Sequence, residues 1–422
     1  MKLKYYLRLA CPSFTIKNLR QYFTIIFIIR GFFSAFLLSL FIYLDYFEIE
    51  NPLLTTLSAV LGFYFLLKEN QIILFWIGFF IGIFWFYWIG FSFRYYNLSY
   101  LIPFITLSVA VIYGAVFWLI GSFKEPFVRA VLLSLVGYVH PLGFNWFIPE
   151  LSLINTPIGT EKIKFLLFLL SIAGFIRFKK YYKLLAIVPL ILSINTKTPF
   201  LKEPDLKIKL SSPHLPQDIK WNKNFLPSII KNNLQQIKNA IKEKYDIIIL
   251  SESIFPLYLD QDRNLMNLLK KLSKKITIVT GALSYKNDKV YNSTYYFVNG
   301  KVTIADKVFL VPFGEEVPLP KFIAKYVNKI FFDGASDYST AKKPTDIKIK
   351  GYTFRNAICY EATREEMYEN SPSYMIAISN NAWFTPSIEP NLQKLILRYL
   401  SRKYKVVIFH SANMGITTVI KG

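Results

Sequence analysis

The sequence predicts a multi-pass α-helical membrane domain followed by a separate layered α/β domain. Of its 422 residues, 53% are hydrophobic, above the roughly 45–50% usual for soluble globular domains. The hydrophobic residues are concentrated before about residue 196, and the remainder alternates short β-rich runs with helical stretches, as layered α/β domains do. We therefore predict a transmembrane domain over residues 1–200 and an α/β domain over residues 201–422.

The amino-terminal region contains seven apolar segments, each of which we predict to be a membrane-spanning helix. A helix needs about 20 apolar residues to cross a bilayer, with about 17–25 the usual range. The second, sixth and seventh segments are the short ones. The seven segments are residues 23–44, 52–67, 72–93, 100–120, 130–147, 163–176 and 184–194.

The distribution of basic residues predicts the orientation of these helices. The first apolar segment is long, contains Arg30 and is followed by Asp45, Glu48 and Glu50, so we expect it to stay as an anchor and not to be cleaved as a signal peptide. Lysine and arginine favour the cytoplasmic side. They occur in alternate loops between the predicted helices, which places the amino terminus in the cytoplasm. After seven spans the α/β domain would lie on the far side of the membrane, which in a bacterium is the periplasm. The residues concerned are Lys2, Lys4, Arg8, Lys17, Arg20, Lys68, Lys124, Arg129, Arg177, Lys179, Lys180 and Lys183.

The charge and the cysteine content argue against several classes of protein. The formal net charge is +23, but the lysines are scattered and no arginine-rich stripe or base-stacking motif accompanies them, so nucleic acid is not an expected partner. The only cysteines are Cys11 and Cys359, too few for a disulfide framework or a thiolate zinc site. The three histidines are far apart in the sequence. We expect no metal and no other cofactor.

The second half predicts eight strands with helices between them. Asn299-Gly300 separates two of the strands and is a strong hairpin-turn signal. The predicted strands are residues 206–211, 246–251, 276–281, 294–298, 301–306, 354–359, 375–379 and 406–410, and the predicted helices are residues 223–244, 261–274 and 391–404. Glu252, Cys359 and Asn380 each come at the carboxyl end of a strand, the edge at which open α/β sheets tend to bind ligands.

Three polar segments follow predicted strands and together supply a base, a cation and a nucleophile. They are residues 251–256, 307–315 and 358–361. A cysteine is nucleophilic as the thiolate, so a carboxylate such as Glu252 can act as the base that takes the proton of Cys359. A lysine such as Lys307 can stabilise the oxyanion that forms at an attacked carbonyl. Taken singly, each residue is more often an inert cysteine, a solvated glutamate or an ordinary surface lysine, so the prediction depends on their order and placement.

These segments resemble the nitrilase superfamily, which uses a Glu-Lys-Cys triad in this chain order. With membrane spans in front, the sequence is similar to the apolipoprotein N-acyltransferase family, and the likeness extends over nearly the whole chain. The matching segments are Gln217 to Trp221, Glu252 before Pro256, Lys307 before Leu310 to Glu315, Cys359 to Glu361, Ser379 to Phe384, and Ala412 to Thr417.

The resemblance implies the fold and the role of each site residue. The catalytic domain would be an α/β/β/α sandwich, with Glu252 as general base, Lys307 as oxyanion stabiliser and Cys359 as nucleophile. The residues expected to bind substrate or to support the triad are Trp221, Glu315, Tyr360, Glu361, Asn380 and Trp383.

The resemblance also implies the reaction and its partners. An acyl chain would pass from a phospholipid to the Cys359 thiol, and then to the amino-terminal amine of an S-diacylglyceryl-cysteine apolipoprotein. Two other interpretations of the sequence remain: a membrane-tethered amidase in which water resolves the acyl-enzyme, and a lipid-binding scaffold without activity. The triad does not distinguish transfer to an amine from transfer to water.

The sequence departs from the family pattern at two places. The family usually has further strands and a last membrane span after the segment that ends at Thr417, whereas this sequence ends at Gly422. Residues 389–391 read Glu-Pro-Asn, where the family commonly has a Gly-Pro and histidine-containing stretch. We therefore expect a local difference near the start of the last predicted helix.

Overall fold

A computed structural model describes residues 23–195, 201–312, 314–315 and 338–422. The described part of the chain forms two compact units. The first comprises residues 23–87, 104–136 and 155–194, and the second comprises residues 88–103, 137–154 and those from 195 onward. Two stretches of the predicted membrane domain thus group with the α/β unit, and the boundary at residue 200 remains a prediction. Lys2, Lys4, Arg8, Lys17, Arg20 and Phe313 lie outside the described residues.

The first unit is helical, and each of the seven predicted segments contains a helix. Three helical stretches within the described ranges are long and apolar enough to cross a membrane: Ile25–Tyr46, Gln71–Tyr96 and Ser99–Gly121. The number of spans remains a prediction. The α-helices are α1 (Ile25–Tyr46), α2 (Pro52–Lys68), α3 (Gln71–Phe86), α4 (Ile102–Gly121), α5 (Pro126–Leu135), α6 (Lys162–Arg177) and α7 (Ile187–Ser193).

Glycines allow close contacts between helices of this unit. A Cβ on Gly31 of α1 would lie 2.4 Å from the Trp76 Cβ of α3, and one on Gly78 of α3 would lie 2.3 Å from the Tyr113 carbonyl oxygen of α4. Small residues of this kind let helix backbones approach one another in membranes, where dispersion contacts drive the association. Arg30, an expensive residue in lipid, forms an ion pair with Glu69.

The predicted extent of the fifth segment, residues 130–147, is wrong. α5 ends at Leu135 and continues as a 3₁₀ turn only to Tyr138. Pro141 has no backbone N–H to donate, and Gly143 adopts a φ of +80°, so the chain leaves the helical path there. The third segment also changes character, because α3 gives way to a 3₁₀ stretch at Tyr87–Tyr96.

The second unit contains two β-sheets. One has the strand order β1-β2-β4-β5-β6, with β3 paired to β4, and the other has the order β11-β10-β9-β8-β7. The strands are β1 (Ile208–Leu210), β2 (Ile247–Ile249), β3 (Phe255–Tyr258), β4 (Thr277–Lys286), β5 (Lys289–Val298), β6 (Lys301–Asp306), β7 (Asp346–Ile349), β8 (Tyr352–Ile358), β9 (Tyr374–Asn380), β10 (Val407–Asn413) and β11 (Thr418–Ile420). The helices are α8 (Gln217–Lys220), α9 (Leu226–Lys242), α10 (Arg263–Leu272) and α11 (Glu389–Tyr404).

Two apolar cores make this unit a four-layered sandwich. One core joins α9 and α10 to the first sheet and includes Ile237, Leu269 and Ile248. The other lies between the sheets and includes Ile249 and Phe354. Because successive strand residues point to opposite faces, the Ile247–Ile249 run of β2 supplies both cores. With α11 against β10 and β11, the α/β/β/α arrangement is confirmed.

Each of the eight predicted strands is present. Asn299 and Gly300 have φ values of +50° and +81°, as the predicted tight hairpin turn requires. The sequence reasoning missed three short strands, β3, β7 and β11, which have three or four residues each. Such runs are too short for their alternation to stand out from the flanking sequence.

Candidate active site

Glu252, Lys307 and Cys359 line one cavity of about 320 Å³ in the second unit. Each follows the end of a strand: β2, β6 and β8 respectively. The sandwich therefore brings together three side chains that are 55 and 52 residues apart in sequence. The cavity is lined by Ser92, Tyr96, Trp221, Glu252, Ser253, Leu283, Asn292, Lys307, Val311, Gly314, Glu315, Tyr338, Cys359, Asn380, Trp383 and Phe384.

Cys359 sits on a sharp turn between β8 and a 3₁₀ helix, Cys359–Thr363. Its φ of +55° is left-handed, a conformation that is costly for a residue with a Cβ and is often found at functional sites. Burial raises the pKa of the thiol well above its usual range, Glu252 adds to the increase, and Lys307 opposes it. The resting thiol is therefore protonated, and its use as a nucleophile requires a base.

Glu252 provides a carboxyl group close to the cavity and is only 6% exposed. The Asn292 Nδ2 donates to Glu252 Oε1 at 2.7 Å, and the Lys307 Nζ lies 3.9 Å from the same oxygen. Burial raises the pKa of Glu252, whereas Lys307 lowers it and Glu315 raises it. A carboxylate with a raised pKa is a stronger proton acceptor, which suits a general base.

Lys307 is fully buried and pairs with Glu315, with 2.6 Å between Nζ and Oε2. Burial lowers the pKa of this lysine, but Glu315 and Glu252 outweigh burial and raise it overall. The side chain is thus an ammonium ion at neutral pH. Glu315 is itself held by the Asn292 Nδ2 at 3.0 Å and the Val311 backbone N–H at 3.0 Å. Asn292 therefore links the two carboxylates that flank the lysine.

The backbone around Glu252 is fixed by the close approach of β4. A Cβ on Gly281 would lie 2.3 Å from the Ser253 nitrogen and 2.7 Å from the Glu252 Cα. Ser253 has a φ of +45°, so the chain turns sharply just after the carboxylate. Glycine at position 281 lets β4 pack directly on this turn.

Glu361 lies behind the cavity and joins two segments of the site. Its Oε1 accepts hydrogen bonds from the Val308 and Phe309 backbone N–H groups, and its Oε2 accepts one from the Ile358 N–H. Burial raises the pKa of Glu361 to about 7, and Lys307 and these N–H groups oppose the increase. The carboxyl group thereby ties the segment after Lys307 to the end of β8.

Tyr360 also supports the Cys359 turn from outside the cavity. Its ring is parallel to that of Phe144, with centroids 6.1 Å apart, and its hydroxyl donates to the Gly143 carbonyl oxygen at 3.1 Å. The neighbouring Asn145 and Trp146 donate to Thr363 at 2.9 and 2.8 Å. Residues 143–146 therefore brace the turn that presents the thiol.

Aromatic side chains form one wall of the cavity. Trp383 stacks on Tyr96, with centroids 6.1 Å apart and an interplanar angle of 10°, and meets Tyr95 edge to face at 5.3 Å. Trp221 and Tyr338 line the same cavity, and Trp221 is 40% exposed. These aromatic side chains offer apolar surface to a substrate in the same cavity as the charged groups.

Asn380 lines the cavity and connects three elements. Its Nδ2 donates to Gln217 Oε1 at 2.9 Å, and its Oδ1 accepts from the Asn413 Nδ2 at 2.8 Å. Asn413 also exchanges hydrogen bonds with the backbone of Leu215. This asparagine therefore joins two of the segments that the sequence marked, Gln217 to Trp221 and Ala412 to Thr417.

Sequence reasoning did not assign Lys220, Asn292 or Gln393 to the site. The Lys220 Nζ donates to the Glu252 carbonyl oxygen at 2.9 Å, and burial lowers the pKa of this lysine to about 8. The Gln393 Nε2 lies 4.0 Å from the Cys359 Sγ. Lys220 lies inside a segment that matched the family, which was an available signal. No local pattern marks Asn292 within β5 or Gln393 within α11.

Comparison with known proteins yields one family and several close relatives. The family model described as "Apolipoprotein N-acyltransferase integral membrane domain" matches residues 25–196. The chain is 43% identical to the apolipoprotein N-acyltransferase of Wolinella succinogenes over 390 residues, which are 92% of this chain and 94% of that protein. It is 38% identical to the proteins of the same name in Helicobacter pylori and Campylobacter jejuni, with 89% and 95% of this chain and 91% of each relative covered.

Solved structures with some likeness cover about half of the chain. A CN-hydrolase superfamily protein from Xanthomonas campestris gives a TM-score of 0.38 at 14% identity, over 51% of this chain and 78% of that one. The nitrilase superfamily member Nit3 of Saccharomyces cerevisiae gives 0.34 at 20% identity, over 49% of this chain and 73% of that one.

Proposed function

This chain belongs to the apolipoprotein N-acyltransferase family, and from that premise we propose that its acyl transfer uses Glu252, Lys307 and Cys359. Membership makes the chain a membrane-associated acyltransferase that acts on lipoproteins. The observation that carries the assignment of the triad is the shared cavity, in which the thiol, the buried carboxylate and the buried ammonium lie together. A thiol, a base and an oxyanion-stabilising cation are the groups that acyl transfer through a thioester requires.

The first half-reaction acylates the enzyme. Glu252 takes the proton of the Cys359 thiol as the sulfur attacks the ester carbonyl carbon of a phospholipid, at the sn-1 chain. The Lys307 ammonium stabilises the oxyanion of the tetrahedral intermediate. The carbon–oxygen bond then breaks, the departing lysophospholipid oxygen takes the proton from Glu252, and a thioester remains on Cys359.

The second half-reaction forms the amide. The α-amine of an S-diacylglyceryl-cysteine apolipoprotein attacks the thioester carbonyl carbon, and Glu252 accepts a proton from the nitrogen. The carbon–sulfur bond breaks, the sulfur recovers the proton, and the N-acylated lipoprotein leaves. A cavity of about 320 Å³ is at the lower end of the range of about 300–1,000 Å³ for small-molecule sites, which favours successive visits by the two lipid substrates.

The location of the reaction is also part of the proposal. With a cytoplasmic amino terminus and seven spans, the catalytic unit lies on the periplasmic side of the bacterial inner membrane. The excess of lysine and arginine in alternate loops supports this orientation. Substrates anchored in lipid would then reach the cavity by lateral diffusion in the same leaflet.

Intact mass spectrometry of the purified protein after incubation with phospholipid alone tests the assignment. We expect one hydroxylamine-sensitive acyl adduct on the native protein and none on Cys359→Ala. With Cys359→Ser, any ester adduct would resist the mild hydroxylamine treatment that cleaves a thioester. Addition of a diacylglyceryl-cysteine peptide should clear the adduct and yield the N-acyl peptide.

Two results would contradict the proposal. Release of free fatty acid, with no N-acyl peptide, would indicate hydrolysis of the acyl-enzyme by water. An acyl adduct that persists on Cys359→Ala would place the acyl group on another residue.

A further inference from the structure

A buried polar cluster lies behind the Cys359 thiol, outside the triad. Its members are Asn381, Glu389 and Gln393, each no more than 1% exposed. Asn381 follows β9, and the other two lie in the first turns of α11. Burying a polar group costs free energy unless it forms a hydrogen bond. The hydrogen bonds of this cluster lead from Glu389 through Asn381 to Gln393, next to the sulfur.

The end of the cluster nearest the thiol is the side-chain amide of Gln393. Its Nε2 lies 4.0 Å from the Cys359 Sγ and 3.5 Å from the Ser379 Oγ. A thiolate can only accept hydrogen bonds, whereas an amide NH₂ group can only donate them. A donating amide therefore stabilises the thiolate more than the neutral thiol, whose sulfur is only a weak acceptor.

The orientation of the Gln393 amide is set by its other end. The Asn381 Nδ2 donates to Gln393 Oε1 at 2.9 Å, so the oxygen of Gln393 is held away from the sulfur. The same Nδ2 lies 2.9 and 2.7 Å from the two carboxyl oxygens of Glu389. A carboxyl group keeps at least one accepting oxygen in either protonation state. Glu389 therefore holds the Asn381 side chain with its nitrogen, and not its oxygen, toward Glu389 and Gln393.

The absence of a side chain on Gly415 leaves room for Asn381 in this position. A Cβ on Gly415 would lie 2.1 Å from Asn381 Oδ1 and 2.7 Å from its Cγ. Only a residue without a side chain leaves Asn381 where it is, because the asparagine side chain is short and its nitrogen is already engaged. Gly415 thus provides the space that Asn381 occupies.

We propose that Gln393 donates a hydrogen bond to the Cys359 thiolate, and that Asn381 and Glu389 are positioning residues that hold its amide in the donating orientation. This inference rests on the proposed role of Cys359 as the nucleophile. It gives a role to Glu389, which departs from the family pattern. Because the site around the sulfur is buried and rich in carboxylates, a neutral donor stabilises the thiolate without adding another charge.

The rate of alkylation of Cys359 by iodoacetamide, measured against pH, tests the donor. The full-length protein in detergent carries Cys11→Ser, so that Cys359 is its sole thiol. Gln393→Met keeps a similar side-chain length but removes the N–H, and we expect alkylation at pH 7 to fall about three- to tenfold, with the profile displaced to higher pH. Gln393→Glu adds a negative charge at the same place and should displace the profile further.

Variants that leave Gln393 in place test the positioning residues. Asn381→Leu and Gly415→Ala should each slow alkylation in the same direction, because each releases the Gln393 amide. The double variant Asn381→Leu/Gln393→Met should be no slower than Gln393→Met alone, since both changes remove one interaction. Gln235→Leu, which removes an exposed amide on α9, serves as the matched control and should behave as the parent protein.

A profile that stays at the parental pH in Gln393→Met would contradict the proposal that Gln393 donates to the thiolate. Full additivity of Asn381→Leu and Gln393→Met would overturn the positioning role. Should Gln393→Met fail to fold, Asn381→Leu and Gly415→Ala still decide the question, because both leave Gln393 in place and release only its amide. Alkylation needs no lipid, so a failure here is separate from a failure to form the acyl adduct, which would contradict the proposed function instead.

Discussion

The thiol of Cys359 lies among groups that make its ionisation unfavourable. Burial raises the pKa of the thiol, and the neighbouring Glu252 raises it further. Free thiolate is therefore scarce at neutral pH, and the proton must leave as the bond to the carbonyl carbon forms. Burial raises the pKa of Glu252 as well, so its carboxylate is a stronger proton acceptor than that of an exposed glutamate. A stronger acceptor favours proton transfer in the transition state.

We expect activity to rise with pH as Glu252 ionises. As the proposed base, Glu252 works only as the carboxylate. Its raised pKa places the ascending limb of the pH–activity profile above the usual range for glutamate. On the alkaline side, Lys307 stays charged because Glu315 and Glu252 raise its pKa overall, against the effect of burial. A pH profile of kcat/KM for the transfer reaction measures both effects. An ascending limb in the ordinary pH range for glutamate would contradict the raised pKa of Glu252.

Asn292→Leu should displace that ascending limb to higher pH. The Asn292 Nδ2 donates to Glu252 Oε1, and loss of a hydrogen bond to the ionised form makes ionisation less favourable. We expect activity at pH 7 to fall about three- to tenfold. Asn239→Leu, which removes an exposed amide on α9, should leave the profile unchanged. A limb that moved to lower pH would refute this account of the base.

We expect Gly281→Ala to lower the reaction rate strongly and the free energy of unfolding only moderately. The added Cβ would press on the Ser253 nitrogen and the Glu252 Cα, so the turn that carries the base must shift. A displacement of about 1 Å can lower a rate about 100-fold, whereas overpacking costs about 1–3 kcal/mol in unfolding free energy. Kinetics and thermal unfolding of the same preparation separate the two effects.

The matched control for this variant is Gly351→Asn. Gly351 lies in the turn between β7 and β8, and a Cβ there would meet nothing within 4 Å. Asparagine tolerates the left-handed backbone of this position, where φ is +89°. Activity close to that of the native protein is expected. If Gly281→Ala were equally active, the close approach of β4 would not position the base.

The short 3₁₀ helix that begins at Cys359 depends on the stretch 143–146 for its support. Trp146 donates to the Thr363 Oγ1 at 2.8 Å, and that hydroxyl donates in turn to the Tyr360 carbonyl oxygen at 2.7 Å. The stretch comes from a different part of the chain, so it can restrain the helix only after the fold has formed.

We expect Trp146→Phe and Thr363→Val to be non-additive. Each variant breaks the same hydrogen bond, and a coupling energy of about 0.5–1.5 kcal/mol is expected in the unfolding free energy. The rate of acyl-adduct formation should fall in both single variants, because the turn that presents the thiol loses a restraint. Additive effects on both quantities would show that the two side chains act independently.

The chain combines helical stretches suited to lipid with a sandwich that contains a polar site. Three helical stretches of the described chain are long and apolar enough to span a bilayer, whereas the sandwich has soluble-type cores and a polar site. The orientation of the chain in the membrane therefore decides which compartment supplies the substrates.

The orientation is tested by a single reporter cysteine. In a Cys11→Ser/Cys359→Ala background, Lys289→Cys places a thiol at an exposed position near Asn287. A membrane-impermeant maleimide should label it in intact spheroplasts, and a tag at the amino terminus should become accessible only after permeabilisation. Labelling of both from the same side would overturn the predicted orientation.

The sequence by itself determined the class of the protein and predicted which groups react. An apolar first half followed by alternating strands and helices can be recognised from composition and periodicity alone. Glu252, Lys307 and Cys359 were predicted as the reacting groups because each follows a strand within a distinctive run of residues. These signals are local, so they do not need the folded chain.

Only the tertiary structure decided how those groups are held. Asn292 and Gln393 sit in an ordinary strand and helix, and their contacts with Glu252 and Cys359 join residues 40 and 34 positions apart. The bend after Tyr138 and the contact of Tyr360 with Gly143 also depend on the folded chain. The energy of these contacts depends on distance in space and not on separation in the sequence. A one-dimensional pattern records which side chains are present, and packing determines which of them meet.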